Sequence, residues 1–182
     1  MTIEKLALQG KHNLYNTMAA SIASRLVDIR NEVIQQSLTD FKNANHRLEL
    51  VTRVKGVEFI NDSKATNVNS VWYAIESMSH PVIWIAGGVD KGNDYTLLKD
   101  VVKQKVKSII CIGEDNSKLR NAFADIVPNI TETNRMQQAV DMAFYQAEPG
   151  DIVLLSPACA SFDLFENYQD RGDKFKKAVS EL

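Results

Sequence analysis

The chain is short of most features that would settle its class at a glance. Its 182 residues hold only two cysteines, Cys111 and Cys159, each in an apolar or small-residue setting. Two buried thiols suit that pattern better than a disulfide framework or a cysteine metal site. Charge of neither sign is in excess: 21 basic residues stand against 23 acidic ones, a formal net charge of −2. Such a balance gives no electrostatic footprint for nucleic acid or an anionic membrane. Long apolar runs are missing. Residues 81–86 and 152–155 are strand-sized and far too short to span a bilayer. The opening MTIEKLALQG lacks a signal-peptide core. His12, His46 and His80 are scattered without metal-ligand spacing, so no metal site is read from this chain. Repeats, low-complexity stretches and Pro/Ser-rich linkers are absent as well. These absences point to an ordinary protein of a reducing cytoplasm, with neither nucleic acid nor membrane as partner.

Familiar catalytic motifs are also missing. Five residues after Gly87 comes Gly92, but Asn93 stands where a Walker A loop needs lysine. No G-x-G-x-x-G occurs, so dinucleotide binding has no support. Ser156 and Ser161 lack the G-x-S-x-G elbow of a serine hydrolase.

What is present is a regular alternation. A short strand is expected within residues 2–8, ending at Gly10. Helices are expected over 13–27, where Leu14, Met18, Ile22 and Leu26 recur at helical spacing, and over 31–41. After a connection, 49–54 and 57–60 read as a hairpin around Lys55–Gly56. Then strands at 82–86 (VIWIA), 108–112 (SIICI), 130–133 and 151–155 (DIVLL) alternate with helices at 68–78, 95–106, 117–126, 136–147 and 162–182. Continuous apolar strands between helices predict an α/β fold, a Rossmann-like and mostly parallel sheet with helices on both faces. Residues 45–182 are therefore expected to form one α/β domain. Residues 1–44 have apolar faces but no complete core, and read as the helical tail of a preceding domain.

In such a sheet, ligands bind beyond the carboxyl ends of the strands. Three polar segments are placed there: residues 61–67 (NDSKATN), 87–92 (GGVDKG) and 156–161 (SPACAS). Parallel strands put all three on one edge. Each has a plain alternative. Asp62 and Lys64 suit a solvated turn, and Gly87–Gly88 suits a strand break. In SPACAS, Pro157 and its small neighbours permit close approach of a ligand. Ser161 there reads as an N-cap with Asp163 in the first turn, whose free N–H groups would hold an anion. A tight capped turn explains the same residues. Phe162, Phe165, Tyr168 and Phe175 are spaced mainly for packing.

Taken together, LQGKHN with Asn16, His46-Arg47, NDSKATN, Gly87-Gly88 with Lys91, and LSPACASFDLFENYQDRG resemble the Mur ligase family, in the family's order and over nearly the whole chain. NDSKATN with SPACASFD resembles the branch that adds D-glutamate. The resemblance implies an ATP-dependent ligase of peptidoglycan synthesis. Its partners would be ATP with Mg2+, D-glutamate and UDP-N-acetylmuramoyl-L-alanine, and an acyl phosphate would be attacked by the D-glutamate amine. It implies that Asn13 and Asn16 approach the adenine, that Arg47 reaches the phosphates and that Asp62 accepts from the ribose. Lys64 lies nearby as a possible catalytic group. Thr66 and Lys91 would hold one D-glutamate carboxylate; Ser161, with the backbone at Phe162, would hold the other. Tyr168 would lie beside the amino acid. The family has an aliphatic residue at position 162 and a different aromatic at 168. The family's P-loop, magnesium ligands and UDP-binding domain have no counterpart here. Met1 is accordingly expected to mark a truncation, residues 1–44 the tail of the central ATP-binding domain, and the chain alone to be inactive. Another Mur or folylpolyglutamate-type amide ligase remains an alternative, as does a non-catalytic α/β module that binds a small molecule.

Overall fold

The computed structural model describes residues 11–41 and 44–182. The expected strand at 2–8, and the side chains of Lys11 and His12, lie outside the described residues. The chain divides into two compact units, residues 1–45 and 46–182. In the first, α1 (Lys11–Leu26) and α2 (Asn31–Asp40) follow one another across a short turn. None of the residues of α2 is buried. Tyr15, Met18, Ile22, Leu26, Val27 and Phe41 are all more than half exposed.

The second unit opens with a hairpin, β1 (Glu49–Val54) and β2 (Val57–Asn61). Its two turn residues, Lys55 and Gly56, have φ of 46° and 86°. Two positive φ values make the twisted turn that suits a two-residue hairpin. There follow α3 (Val68–Ser77), β3 (Val82–Gly87), a 3-10 turn (Tyr95–Leu98), α4 (Lys99–Lys105), β4 (Val106–Ile112) and α5 (Ser117–Phe123). The chain then continues through β5 (Asn129–Thr133), α6 (Met136–Gln146), β6 (Ile152–Ala158) and α7 (Tyr168–Ser180). The sheet order is β1-β2-β6-β3-β4-β5. Only β1 runs antiparallel to its neighbour. The mostly parallel α/β sheet expected from the sequence is what the structure has.

The central strands are buried on both faces, which is why they read as unbroken apolar runs. Trp84, Ile109 and Leu154 face α3, α4 and α5 with Val71, Ile75, Leu98 and Phe123. Ile83, Ile85, Ile110, Val153 and Leu155 face α6 and α7 with Val140, Phe175 and Val179. Each such side chain contributes about 1.5–3 kcal/mol by leaving water. Trp84 is fully buried, and its indole N–H donates to the Ser156 carbonyl at 2.7 Å, which satisfies the one polar group it carries.

Two boundaries differ from expectation in ways that matter. Strand β6 runs on through Ser156 and Pro157 to Ala158 instead of stopping at Leu155. Its pairing with β3 passes from Ile85↔Leu155 to Gly87↔Ala158 with a register shift. That irregularity lets a central strand carry a proline, which has no N–H to give the ladder. The last helix begins at Tyr168, not at Phe162. Chain leaving β2 and β3 turns to the α3–α4 face, whereas chain leaving β6 turns to the α6–α7 face. Strand β6 is therefore flanked by crevices of the kind in which open α/β sheets bind ligands.

Candidate active site

The loop after β2, residues 61–67, is held from beneath. The Asn61 side-chain carbonyl accepts from the Ser63 N–H at 3.2 Å. Its amide donates to Glu49 Oε2 at 3.1 Å and to His46 Nδ1 at 3.0 Å. Ser63 fixes the Asn61 orientation and so turns the amide N–H toward His46 Nδ1. Asp62 is 6 % exposed. One of its oxygens accepts from the Leu48 N–H at 3.2 Å, the other from Ser156 Oγ at 2.9 Å. Burial pushes its pKa up to about 7 against the pull of Ser156, Leu48 and the Arg47 charge. Lys64 lies over the Tyr168 ring, 5.4 Å from its centroid. The Ala65 carbonyl accepts from the Ala158 N–H at 3.0 Å, tying this loop to the end of β6.

Next to it, the loop after β3 depends on two glycines. A Cβ on Gly87 would lie 2.4 Å from the Ile112 carbonyl oxygen, and one on Gly88 would lie 2.2 Å from that of Ala160; φ is 127° and 118°. Only glycine combines that backbone conformation with that approach. Val89 and Ala160 then exchange two hydrogen bonds, at 2.9 and 3.1 Å. Asp90 gathers four donors: the N–H groups of Gly92 and Asn93 at 2.7 and 3.1 Å, Tyr95 Oη at 2.7 Å and Lys118 Nζ at 2.9 Å. Burial opposes its ionisation, but Lys118, Tyr95 and the two amides prevail and bring Asp90 to about 2. Lys91 projects from this braced loop and is exposed.

The segment after β6 corrects the sequence reading. Ser161 does not cap α7; Asn167 does, its side chain accepting from the Asp170 N–H at 2.8 Å. The pair of hydrogen bonds between Ala160 and Val89 holds the chain extended just before Ser161. Asp163 is committed across the edge, one oxygen accepting from the Glu114 N–H at 3.2 Å and the other from Leu164 at 2.9 Å. What forms instead is a single turn closed by Phe165 N–H to the Ser161 carbonyl at 3.0 Å. Tyr168 is thus the first residue of α7 and not two turns along it. Ser161 is 2 % exposed and Phe162 is 73 % exposed. Ala158 adopts φ of 62° at zero exposure. A left-handed alanine at a strand end is strained, a condition that gathers at functional sites.

The structure therefore brings Asp62, Lys64, Thr66, Lys91 and Ser161 to one edge of the sheet, the loops after β2 and β3 each bonded to the segment after β6, with Tyr168 at the start of α7 beneath Lys64. Arg47 precedes the hairpin and is exposed, and Phe162 points to solvent. Asn13 and Asn16 lie on α1, in the first unit. Sequence reasoning missed Asp90, Lys118, Ser156 and Arg171. For Asp90 a signal existed, since Asp two residues before Gly marks a side-chain-closed turn. Arg171 gave none. Its guanidinium is 1 % exposed and donates to Ser63 and Cys159, and burial draws its pKa down to about 10.

Residues 46–159 match the family described as Mur ligase, glutamate ligase domain. The UDP-N-acetylmuramoylalanine–D-glutamate ligases of Porphyromonas gingivalis and Christiangramia forsetii are each 56 % identical to this chain over 182 residues, all of it. The chain spans 40 % and 41 % of the length of those two relatives. Among solved structures, the UDP-N-acetylmuramate–alanine ligase of Thermotoga maritima aligns with a TM-score of 0.71 at 11 % identity, over 97 % of this chain and 39 % of that one. A MurF ligase of the same organism, solved with ADP, gives 0.65 at 14 % identity over 95 % and 40 %. Its folylpolyglutamate synthase gives 0.57 at 16 % identity over 84 % and 37 %. These three share the fold. With 114 of its 182 residues inside the matching segment, the chain belongs to the Mur ligase family.

Proposed function

We propose that this chain is the amino-acid-accepting part of an ATP-dependent ligase that joins D-glutamate to UDP-N-acetylmuramoyl-L-alanine in the cytoplasm, during peptidoglycan synthesis. The observation that carries this reading is that Thr66, Lys91 and Ser161 stand at one edge of the sheet, on loops after β2 and β3 that are each hydrogen-bonded to the segment after β6. D-Glutamate presents two carboxylates and must offer a neutral amine. Lys91 with Thr66 would clamp one carboxylate. Ser161 and the amides of its single turn would clamp the other, without the dipole of a full helix. Two separated clamps fix the amine, and such fixing is the main contribution this chain has to make.

Nucleotide binding is part of the same proposal. Asp62, Arg47 and Lys64 adjoin one another, and the MurF ligase that shares this fold was solved in complex with ADP. Both oxygens of Asp62 already accept hydrogen bonds, so a ribose hydroxyl would have to use a remaining lone pair. ATP would activate the alanine carboxylate as an acyl phosphate, and the D-glutamate amine would displace phosphate from it. Among the described residues no three of His, Cys, Asp and Glu cluster as metal ligands. Magnesium would neutralise the nucleotide phosphates, with its protein ligands mostly in the central ATP-binding domain. Residues 1–44 are read as the tail of the central ATP-binding domain, and 45–182 as the C-terminal domain.

The test is titration of the isotope-labelled chain with D-glutamate, with L-glutamate as control. Shifts at Thr66, Lys91 and Ser161 selective for the D-isomer are expected. Equal shifts with both isomers would reduce the site to a generic anion clamp and overturn the substrate. ATP and the UDP-substrate added to the isolated chain should give no phosphate release.

A further inference from the structure

Arg171 is the largest charged side chain buried in the described structure. All its donating atoms turn to neutral acceptors: Nε to Ser63 Oγ at 3.0 Å, Nη2 to the Ser63 carbonyl at 2.9 Å and Nη1 to the Cys159 carbonyl at 3.2 Å. Its third neighbour is Gly88, where a Cβ would stand 3.4 Å from Nη1. A guanidinium sealed away from water, hydrogen-bonded only to neutral oxygens and offset only by the charge of Asp163 nearby, is an expensive way to fill space. A leucine or methionine would fill it more cheaply.

The identity of the three neighbours explains the expense. Ser63, Gly88 and Cys159 come one from each loop of the site, and each stands two or three residues before Thr66, Lys91 or Ser161. The planar fork of arginine reaches acceptors in several directions at once, which a lysine cannot do. Ser63 Oγ in turn donates to the Tyr168 carbonyl at 2.7 Å, linking the start of α7 to the same point.

We propose that Arg171 is the positioning residue of the site, a hub whose hydrogen bonds tie the loops after β2 and β6 together and whose guanidinium packs against Gly88 of the loop after β3, so that Thr66, Lys91 and Ser161 face a single ligand. The inference rests on reading those three residues as the amino-acid pocket. Arg171 touches no substrate itself and acts through the backbone of the loops.

The test compares R171K, which keeps the charge, and R171M, which keeps the volume, by amide hydrogen exchange of the free chain followed by D-glutamate titration. In both variants the amides of Val89, Ala158 and Ala160 are expected to exchange at least about tenfold faster than in the parent chain, while those of Trp84 and Ile110 change by less than about threefold. D-Glutamate affinity falls about tenfold in both. Loop amides that accelerate only in step with the core strands, or not at all, overturn the proposal, because a residue that merely packs would do that. If R171M does not fold, S63A removes one acceptor and carries the same comparison with a smaller selective change. If the loops loosen but the parent chain binds no D-glutamate, the pocket reading falls and the hub stands. If the parent chain binds and both variants bind equally with unchanged loops, the hub falls and the pocket stands.

Discussion

Two aspartates at the same edge of the sheet behave in opposite ways, and the contrast shows how the site is built. Asp62, after β2, has two hydrogen-bond donors and almost no water, and is raised to about 7. Asp90, after β3, has four donors, one of them the Lys118 ammonium, and is lowered to about 2. Burial acts on both in the same direction. It acts far more strongly on the deeply buried Asp62, and the number and charge of the donors set how well it is opposed. The loop after β3 is thus braced by a permanent charge. The loop after β2 is anchored by a carboxyl whose burial favours the protonated form.

The largest effect expected from breaking this contrast comes from Asp62. Its folded pKa lies above the unfolded one, so the fold binds the proton more tightly. That stability is complete below about pH 4 and is lost as pH rises through 7, on the order of 2–4 kcal/mol in all. Urea unfolding at pH 5 and pH 8 should show this loss in the parent chain and not in D62N, whose amide can still accept from Leu48 and donate to Ser156. An equal pH slope in both chains would contradict the assignment. Asp90 has the opposite sign. Its folded pKa is depressed, so its contribution is present above about pH 4 and disappears as pH falls through 2. D90A should lower stability by about 1–2 kcal/mol at pH 7, an amount moderated by solvent on one side of the group, and should speed amide exchange at Gly92 and Asn93. A D90A chain as stable as the parent would mean that the four donors find water equally good. The smallest effect belongs to K118M, about 0.5 kcal/mol or less, since its partner is reached across a half-exposed ion pair. Its sharper signature is an upward shift of the Asp90 carboxyl in a carbon-detected pH titration. No shift would remove Lys118 from the account of Asp90.

Much of this architecture was legible in the residues. VIWIA and SIICI announced strands covered on both faces, and Lys55–Gly56 announced the hairpin. The three polar segments were assigned to one sheet edge by the parallel topology alone. The residues within them that matter for ligands came from the family resemblance, since Asp-Ser-Lys in a loop says little by itself. What misled was local plausibility. Ser161 with Asp163 has the chemistry of a helix start, but Asp163 is spent on Glu114, 49 positions away, and Asn167 does the capping. SPA looked like loop, yet the register shift against β3 keeps it in the sheet. The role of Arg171 was invisible for a related reason. Its partner Ser63 lies 108 positions distant, and nothing in DRGDKF hints that one cation of that helix is sealed inside.

The bond from Trp84 to the Ser156 carbonyl gives the chain a built-in optical gauge. Ser156 also donates to Asp62, so the indole stands two hydrogen bonds from a carboxyl that ionises near neutrality. An elementary charge appearing at that range in a poorly screened interior shifts the electronic levels of the ring. Trp72, the other tryptophan, sits half-buried on α3 beside Tyr73 and supplies a reference that lacks this connection. With Trp72 replaced by phenylalanine, the emission maximum of the remaining indole should trace the Asp62 titration curve, and any ligand that captures the carboxylate should be readable as a colour change without a label.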